Sequence, residues 1–350
     1  KDKVKGKVKL IYIDPPFGTG DEYGGSNGEM SYSAKLMGSE FIECLRERLI
    51  YLKEILQNDG CIFLRIGYHF GHSIKIIMDE IYGRENFRNE ILVKRGAPKA
   101  SLIEQFTEIK SVGVFYDVLY WYSKNSKTLF NKIFRESEEH QKQGKWSGFK
   151  KIYDRPTMRY PIMGINITKG QWMWKKERTE NAINNYKIYL EIYSKNYESL
   201  QDYWIRLGKK LEFVRKKQNS IQYWVAPRDK VLVDNNWLDI KGYSHETNYP
   251  TENSEELLTR IMQVTEPNDL VLDCFAGSGT TAAVAEKSGR RWIMGDFGKH
   301  AIYTMQKRIW NIAASKILGQ EVKNNEKYGK PPKPFSIISA GAYDFSRIMN

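Results

Sequence analysis

Hydrophobic and polar residues follow two alternating patterns along the first quarter of the chain. A short apolar run at 9–13 ends at Asp14, and apolar residues at helical spacing cover 41–57. A second apolar run at 61–66 is followed by a second helical pattern at 74–81. Strands that alternate with helices predict an α/β fold with a mostly parallel sheet.

The same alternation is absent from the middle of the chain and returns from about residue 250 to 310. The later segments comprise predicted helices at 255–264, 280–287 and 301–310 and predicted strands at 270–273 and 291–296. The α/β pattern is therefore interrupted by a middle region of different character, at about 96–244.

One segment of the middle region carries apolar residues at a regular spacing of three and four. They are Ile183, Tyr186, Leu190, Tyr193, Tyr197, Leu200, Trp204, Leu207, Leu211 and Val214. This heptad spacing predicts a long helix over about 179–218, with Thr179 as N-cap and Gly208 as a weak point. Such a helix packs along its own domain or forms a coiled coil with another protein, and the spacing leaves both alternatives open.

Charge is concentrated in the same region. The chain carries a net charge of +13, and residues 141–230 contain 20 Lys and Arg against 8 Asp and Glu. Aromatic residues are interleaved with these cations: Trp146, Trp172, Trp174, Tyr186, Tyr193, Trp204 and Trp224. Cations that neutralise phosphates, beside rings that stack on bases, are typical of nucleic-acid binding. A solvated charged surface on an ordinary domain is the alternative.

Other features of the composition exclude several classes of protein. No apolar run approaches the roughly 20 residues that a membrane-spanning helix needs. Cys44, Cys61 and Cys274 form no metal-binding or disulfide motif, so we expect a reducing, cytoplasmic compartment and no metal site. The chain has no initiating Met, and we interpret it as a piece of a longer protein.

A glycine-containing loop follows the predicted strand 270–273. It begins at Asp273 and continues through Gly277 and Gly279 to a helix that starts at Thr280. Glycines allow the backbone to approach a ligand closely, and Asp296, after the next strand, is placed to accept hydrogen bonds from ribose hydroxyls. Alone, this arrangement is compatible with several cofactors, including the nicotinamide or flavin of a dehydrogenase.

Asp14, Pro15, Pro16 and Phe17 follow the first strand. The two prolines stiffen the corner, the Asp14 carboxylate and the Pro15 carbonyl accept hydrogen bonds, and Phe17 offers a stacking face. The set suits an amino group on a flat ring that has been turned out of a nucleic-acid helix. A tight turn with a surface aspartate is the alternative.

Taken together, these motifs resemble the β-group amino-methyltransferases of DNA, and most closely the modification subunits of type III restriction systems and their solitary relatives. In that family the Asp-Pro-Pro-aromatic motif comes first, a target-recognition segment follows, and the Phe-x-Gly-x-Gly loop comes last, as in this chain. Further matches lie at 45–66, 248–253 and 290–296. The resemblance covers roughly 8–95 and 236–310.

The resemblance implies a Rossmann-like class I S-adenosylmethionine-dependent methyltransferase fold. Its sheet would have seven strands, mixed but mostly parallel, with a circularly permuted motif order. We expect a catalytic half at 1–95, an inserted target-recognition and DNA-binding region at 96–244, a cofactor-binding half at 245–320 and a C-terminal linker or extension at 321–350.

The resemblance also implies roles for individual residues. Asp14, Pro15, Pro16 and Phe17 would form the catalytic corner. The residues expected to bind S-adenosylmethionine are Asp14, Thr251, Glu252, Asp273, Phe275, Ala276, Gly277, Ser278, Gly279, Thr280 and Asp296.

The reaction implied by the family is methyl transfer to N6 of a flipped adenine in double-stranded DNA, with no metal. Cytosine-N4 members usually carry Ser in place of Asp14. A cytosine-N4 or RNA methyltransferase and a non-catalytic DNA- and cofactor-binding subunit are the alternatives. The family also allows a homodimer, and a restriction-endonuclease partner or fused domain.

Two departures from the family are visible. Arg65, Ile66 and Gly67 stand where relatives commonly have Ile-Asp-Asp, which puts an acid at that place in doubt, and Phe17 replaces the commoner Tyr. His69 and His72 form no metal-binding set, so we interpret them as structural or surface residues.

Overall fold

The computed structural model describes residues 4–16, 22–24, 30–33, 38–95, 113–193, 197–244, 246–247, 249–319 and 326–339. Phe17 and Asn248, both part of predicted motifs, lie outside these ranges. The chain divides into two compact units, one formed by 1–133 with 232–350 and the other by 134–231.

The described part of the chain contains the following helices and strands, in sequence order. They are β1 (Val8–Ile13), β2 (Glu22–Gly24), β3 (Met30–Ser33), α1 (Gly38–Ile55), β4 (Leu56–Ile66), α2 (Tyr68–Tyr82), β5 (Phe87–Lys94), β6 (Tyr116–Ser123), β7 (Phe134–Glu136), β8 (Lys145–Gly148), β9 (Lys150–Lys151), β10 (Gln171–Trp172), α3 (Lys176–Ile188), α4 (Leu200–Arg206), β11 (Val214–Lys217), β12 (Ser220–Val225), β13 (Lys230–Leu232), β14 (Asn236–Lys241), α5 (Glu255–Met262), β15 (Leu270–Asp273), α6 (Thr280–Lys287), β16 (Arg291–Met294) and α7 (Lys299–Trp310).

The larger unit is built on a seven-stranded sheet, with the described strands in the order β14-β5-β6-β4-β1-β15-β16. Strand β6 runs antiparallel to both of its neighbours, and the other described pairings are parallel. The predicted seven-stranded sheet, mixed but mostly parallel, is therefore confirmed. The carboxyl ends of β1, β4, β15 and β16 meet at one edge, where open α/β sheets bind their ligands.

Both faces of the sheet are buried, which explains why its strands read as continuous apolar runs rather than alternating ones. In β1, Ile11 and Ile13 pack in a cluster with buried residues of α1 and α2. Leu10 and Tyr12 face the other way, into a cluster with residues of α5 and α6. The central strand is thus fixed from both sides, and so is the position of Asp14 at its end.

The predicted boundaries of the middle region are too wide. Strand β6 and strand β14 fall inside 96–244, yet both belong to the seven-stranded sheet of the larger unit. The separate unit begins at residue 134 and ends at 231. Strand β6 shows no clear alternation of apolar and polar residues, because most of its residues are aromatic or aliphatic and it is buried on both faces.

The predicted long helix over 179–218 is wrong. The chain forms α3, a short π-helical turn at Tyr189–Tyr193, then α4, and the end of the stripe lies in strand β11. Gly208 and Lys209 have φ values of +78° and +62°, so the chain turns there. Thr179 lies inside α3, and Lys175 is its N-cap.

The heptad stripe does not form one buried face. Tyr186, Leu200, Trp204 and Leu211 pack in an aromatic cluster that contains Phe213 and Trp224, Ile183 and Val214 pack in a second cluster, and Leu190, Tyr197 and Leu207 are exposed. Several of the predicted stacking platforms are core residues, since Trp172, Trp204 and Trp224 are buried. Their rings pack inside the small unit, so they are not available to stack on bases in this structure.

The C-terminal residues include an extended segment, 326–339, which packs on the larger unit. Lys333 N donates a hydrogen bond to Glu286 Oε1 (2.8 Å), and the Phe335 ring contacts Trp292 and Trp310. Within the part of the chain that the structure describes, no helix combines the length and apolar character needed to cross a bilayer.

Candidate active site

Three aspartates lie at the carboxyl edge of neighbouring strands. Asp14 follows β1, Asp273 ends β15, and Asp296 lies two residues beyond β16. Because these strands are parallel and adjacent, residues far apart in the chain are brought to one edge of the sheet. The sequence motifs predicted for catalysis and for cofactor binding are therefore neighbours in the fold.

The predicted catalytic corner consists of the residues directly after β1. Pro15 is buried, Pro16 is half-buried, and only 9% of the Asp14 side chain is exposed. Asn253 Nδ2 donates a hydrogen bond to Asp14 Oδ2 (2.9 Å), while Asp14 Oδ1 receives none from the described residues. Among the described residues, the corner thus has one carboxylate oxygen held by Asn253 and one that receives no hydrogen bond from them.

A fully buried arginine stands behind this corner. Arg65, on β4, donates to Asp117 Oδ2 through Nη2 (2.8 Å), to Gly242 O (2.9 Å) and to Asn253 Oδ1 (2.7 Å). Its Nη1 lies 3.9 Å from Asp14 Oδ2. Sequence reasoning noted Arg65 only as a departure from the family, although a lone cation inside an apolar strand pattern was a usable signal of a buried ion pair.

Burial and Arg65 act in opposite directions on Asp14. Removal of water from around the carboxylate raises the pKa of Asp14 to about 6, and the positive charge of Arg65 limits that rise. Asp117 adds a smaller upward contribution, and the hydrogen bond from Asn253 a downward one. The group is thus an anion at neutral pH that can accept a proton at mildly acidic pH.

The loop after β15 is held by the side chain that begins it. Asp273 Oδ1 accepts a hydrogen bond from Phe275 N (2.9 Å), and Oδ2 accepts one from Thr281 Oγ1 (2.6 Å). Burial raises the pKa of Asp273 to about 7, and these two hydrogen bonds oppose the rise. Asp273 therefore closes its own loop against the first turn of α6.

The two loop glycines occupy conformations that other residues rarely adopt. Gly277 and Gly279 have φ values of +49° and +77°. A Cβ atom on Gly277 would lie 3.2 Å from the Tyr249 ring, and one on Gly279 would lie 2.6 Å from Met305 Cγ. Between them, Ser278 Oγ and Thr280 Oγ1 share a hydrogen bond, and Ala276 is buried.

Asp296 is tied to the same loop. Its Oδ2 accepts a hydrogen bond from Gly277 N (2.9 Å), and its Oδ1 accepts one from Gly298 N (2.8 Å). Each carboxylate oxygen keeps a second lone pair for a hydroxyl donor. Phe297, which sequence reasoning missed, is fully exposed beside it and offers a free ring face.

The predicted cofactor-closing residues Thr251 and Glu252 differ in their surroundings. Thr251 is exposed and has a φ of +57°. Glu252 is buried, with one oxygen paired to Arg308 and the other accepting hydrogen bonds from Thr247 N and Oγ1. Glu252 is therefore engaged within the protein, and its contact with a cofactor stays a prediction.

Of the remaining residues named from the sequence, two lie on α2, which begins shortly after β4, and one lies outside the described ranges. His69 and His72 are exposed on α2. The stacking role predicted for Phe17 falls on a residue that the structure does not describe.

Comparison with known proteins supports one family. The family described as DNA methylase, of the N6/N4 methyltransferase type, matches residues 8–307. The type II methyltransferase M.EcaI of Enterobacter cloacae is 28% identical over 314 residues, which cover 87% of this chain and 65% of that protein.

Two further proteins extend the comparison. A probable type III restriction-modification enzyme HindVI Mod subunit of Haemophilus influenzae is 29% identical, over 83% of this chain and 46% of its own length. This chain thus spans 46–65% of the length of these two relatives. The solved structure of PvuII DNA methyltransferase (cytosine-N4-specific) has a TM-score of 0.47 at 14% identity, covering 87% of this chain and 80% of its own.

Proposed function

Because the chain belongs to the DNA methylase family of N6/N4 methyltransferases, we propose that it methylates N6 of adenine in double-stranded DNA. The observation that carries the proposal is the buried Asp14 carboxylate at the end of β1, with one oxygen held by Asn253 and no described residue donating to the other. Asp at the first position of the motif favours adenine, because cytosine-N4 members of the family that the chain resembles usually carry Ser there.

The family uses S-adenosylmethionine as methyl donor, and the residues at the sheet edge fit this molecule. Gly277 and Gly279 leave a backbone surface without side chains, and Asp273 holds that loop in place. Asp296 can accept hydrogen bonds from ribose hydroxyls, and the exposed Phe297 ring can cover a flat base. When bound, S-adenosylmethionine supplies an electrophilic methyl group on a positively charged sulfur.

Asp14 acts on the amino group that receives the methyl group. The lone pair of the adenine amino nitrogen is delocalised into the ring, so this nitrogen is a weak nucleophile. A hydrogen bond from the amine to Asp14 Oδ1, and a second to the Pro15 carbonyl, draw the nitrogen towards tetrahedral geometry. The carboxylate also stabilises the positive charge that develops on nitrogen, and it is placed to take the released proton.

The amino group must leave the duplex before Asp14 can reach it. Extrusion of a base costs about a few kcal/mol and is offset by contacts to the DNA backbone and to the flipped base. We assign the backbone contacts to the 134–231 unit, since most of the net positive charge of the chain lies at 141–230. A homodimer and a restriction-endonuclease partner or fused domain are part of the same proposal.

Methyl transfer from labelled S-adenosylmethionine to mixed duplex DNA, followed by nucleoside analysis, tests the proposal. We expect the label in N6-methyladenine. Label in N4-methylcytosine would keep the family and overturn the choice of base, and label only in RNA would overturn the substrate. Cofactor binding without transfer to any nucleic acid would favour a binding subunit.

A further inference from the structure

The buried ion pair of Arg65 with Asp117 lies directly behind the proposed catalytic corner. Both side chains have no exposed surface. The guanidinium also stacks over the Tyr243 ring at 3.9 Å, and Tyr243 Oη donates to Asp117 Oδ2 (3.2 Å). A buried charge is costly unless its partners are well placed, so this arrangement calls for a physical reason.

Asn253 connects this ion pair to Asp14. Its Oδ1 accepts hydrogen bonds from Arg65 Nη1 (2.7 Å) and from Tyr12 Oη (2.9 Å). Two donors on one side fix the orientation of the amide, because the reverse orientation would set its NH2 group against them. The NH2 group must therefore point to Asp14 Oδ2, where it donates at 2.9 Å.

On the basis of the proposed function, we propose that Arg65, acting through Asn253, is a positioning residue for Asp14. It holds the carboxylate in one orientation, with Oδ2 engaged and Oδ1 directed to substrate, and it keeps the carboxylate anionic.

The charged and titratable groups around Asp14 come from every neighbouring element. They are Arg65 on β4, Asp117 on β6, Arg95 after β5, Tyr243 after β14, Tyr12 on β1 and Asp273 on β15. Of the two arginines, Arg65 exerts the larger effect on Asp14, and it is buried, whereas Arg95 is 44% exposed. Arg65 is thus the cation on which the charge of Asp14 mainly depends.

A purely structural role for Arg65 is the competing explanation, since it also ties β4 to Gly242. The chain contains a matched control for that role. Arg260 on α5 is buried, makes two hydrogen bonds to Asp239 (2.8 and 2.9 Å) and stacks over the Trp237 ring at 5.4 Å. Its ion pair is with Asp239, which is 37% exposed and is not a residue of the corner.

The test follows the titration of Asp14 itself in the full chain. Carbon-13 carboxyl signals of labelled aspartate would be recorded against pH, with Asp14→Asn to assign the signal. We expect Arg65→Met to move the Asp14 midpoint upward by about 1 pH unit or more, and Arg65→Lys to move it less. Arg260→Met should leave it in place.

The acidic limb of the pH profile for methyl transfer should move in the same direction in the Arg65 variants. An unchanged Asp14 titration in folded Arg65→Met would overturn the inference. If that variant does not fold, Asn253→Ala provides the test, because loss of the hydrogen bond from Asn253 should also raise the Asp14 titration midpoint. An Asp14 midpoint in Asn253→Ala equal to that of the wild type would contradict the positioning of Asp14 through Asn253.

The titration needs no enzymatic activity, so the two proposals can fail separately. A chain that does not methylate DNA, but whose Asp14 midpoint depends on Arg65, would refute the proposed function alone. A chain that methylates DNA with an Asp14 midpoint independent of Arg65 would refute the positioning role alone.

Discussion

Asp14 and Asp273 lie at the carboxyl ends of adjacent parallel strands but are held in different ways. The oxygens of Asp273 are engaged by Phe275 N and Thr281 Oγ1, both within eight residues of it along the chain. Asp14 is engaged by Asn253, 239 residues away, which is held in turn by Arg65. One carboxylate is fixed by its own loop, and the other by the tertiary fold.

This difference fits two different tasks. Burial raises the pKa of both groups, but the nearby cation Arg65 opposes the rise strongly only at Asp14. Asp273 holds its loop through hydrogen bonds, whereas Arg65 limits the rise in the pKa of Asp14, and no described residue donates to Asp14 Oδ1. We therefore expect chemistry to depend on Asp14 and the shape of the cofactor loop to depend on Asp273.

The largest expected effect is on methyl transfer, and it comes from a substitution in the corner and not in the loop. Asp14→Asn preserves the shape of the side chain but removes its charge and its capacity to take a proton. We expect the methyl-transfer rate constant kcat to fall by about 10²–10³-fold or more. Single-turnover transfer to duplex DNA measures this, and a loss smaller than tenfold would remove Asp14 from the chemistry.

Arg308 tests how far the two regions are independent, because it contacts both. It pairs with Glu252, which precedes Asn253, and donates to Thr280 Oγ1 (3.1 Å) at the start of α6. Arg308→Met leaves Glu252 buried without its cation, so we expect a loss of about 3–5 kcal/mol in the free energy of unfolding.

Denaturant unfolding of Arg308→Met measures this loss. Arg46→Met is the control, because Arg46 forms its ion pair with Glu80 at the surface, and its midpoint should match the wild type. Equal stability of the Arg308 and Arg46 variants would show that the Glu252 segment is held by other contacts.

A glycine substitution affects the cofactor loop alone. Gly279→Ala forces a side chain into the left-handed region and against Met305, and we expect a cost of about 1–3 kcal/mol with weaker cofactor binding. Gly289→Ala is the matched control, since its φ is +75° but no atom lies within 4 Å of the added Cβ. Calorimetric titration with cofactor should show weaker binding in Gly279→Ala and normal binding in Gly289→Ala. Equally weak binding in the two variants would show that the left-handed φ, and not the contact with Met305, causes the defect.

The smallest expected effect is a change in how stability depends on pH. The folded-state pKa of Asp273, about 7, lies above the unfolded value of about 4. Between these values the folded protein holds a proton that the unfolded chain has lost, so the contribution of Asp273 to stability declines as pH rises from 4 to 7. Asp273→Asn should reduce this slope, and identical slopes in the two proteins would place the Asp273 pKa near its ordinary value.

Local motifs were the part of the site that could be predicted from the sequence. The parallel strands, Asp14 and the loop from Asp273 to Gly279 each depend on residues adjacent in the chain, so spacing and residue type are enough to find them. Arg65, Asn253 and Arg308 act through partners 50 to more than 180 residues away. No local pattern specifies such pairings, so they are apparent only in the three-dimensional structure.

The failure at 179–218 has the same origin. A spacing of three and four predicts that residues share one face of a helix, but it does not show that the helix is continuous. In this chain the stripe residues are divided between a cluster around Trp224, a second cluster with Val214, and the exposed surface. Helix α3 ends at Ile188 and α4 begins only at Leu200, so the helix is interrupted before the chain turns again at Gly208, which the sequence marked as weak.

The most direct test of the division between the two carboxylates compares two variants in two assays on the same preparations. Cofactor binding by calorimetry and methyl transfer to duplex DNA would be measured for Asp14→Asn and Asp273→Asn. We predict that Asp14→Asn binds S-adenosylmethionine and fails to transfer its methyl group, whereas Asp273→Asn is impaired already in binding. Transfer at the wild-type rate by Asp14→Asn, or cofactor binding lost equally in both variants, would contradict this division of tasks.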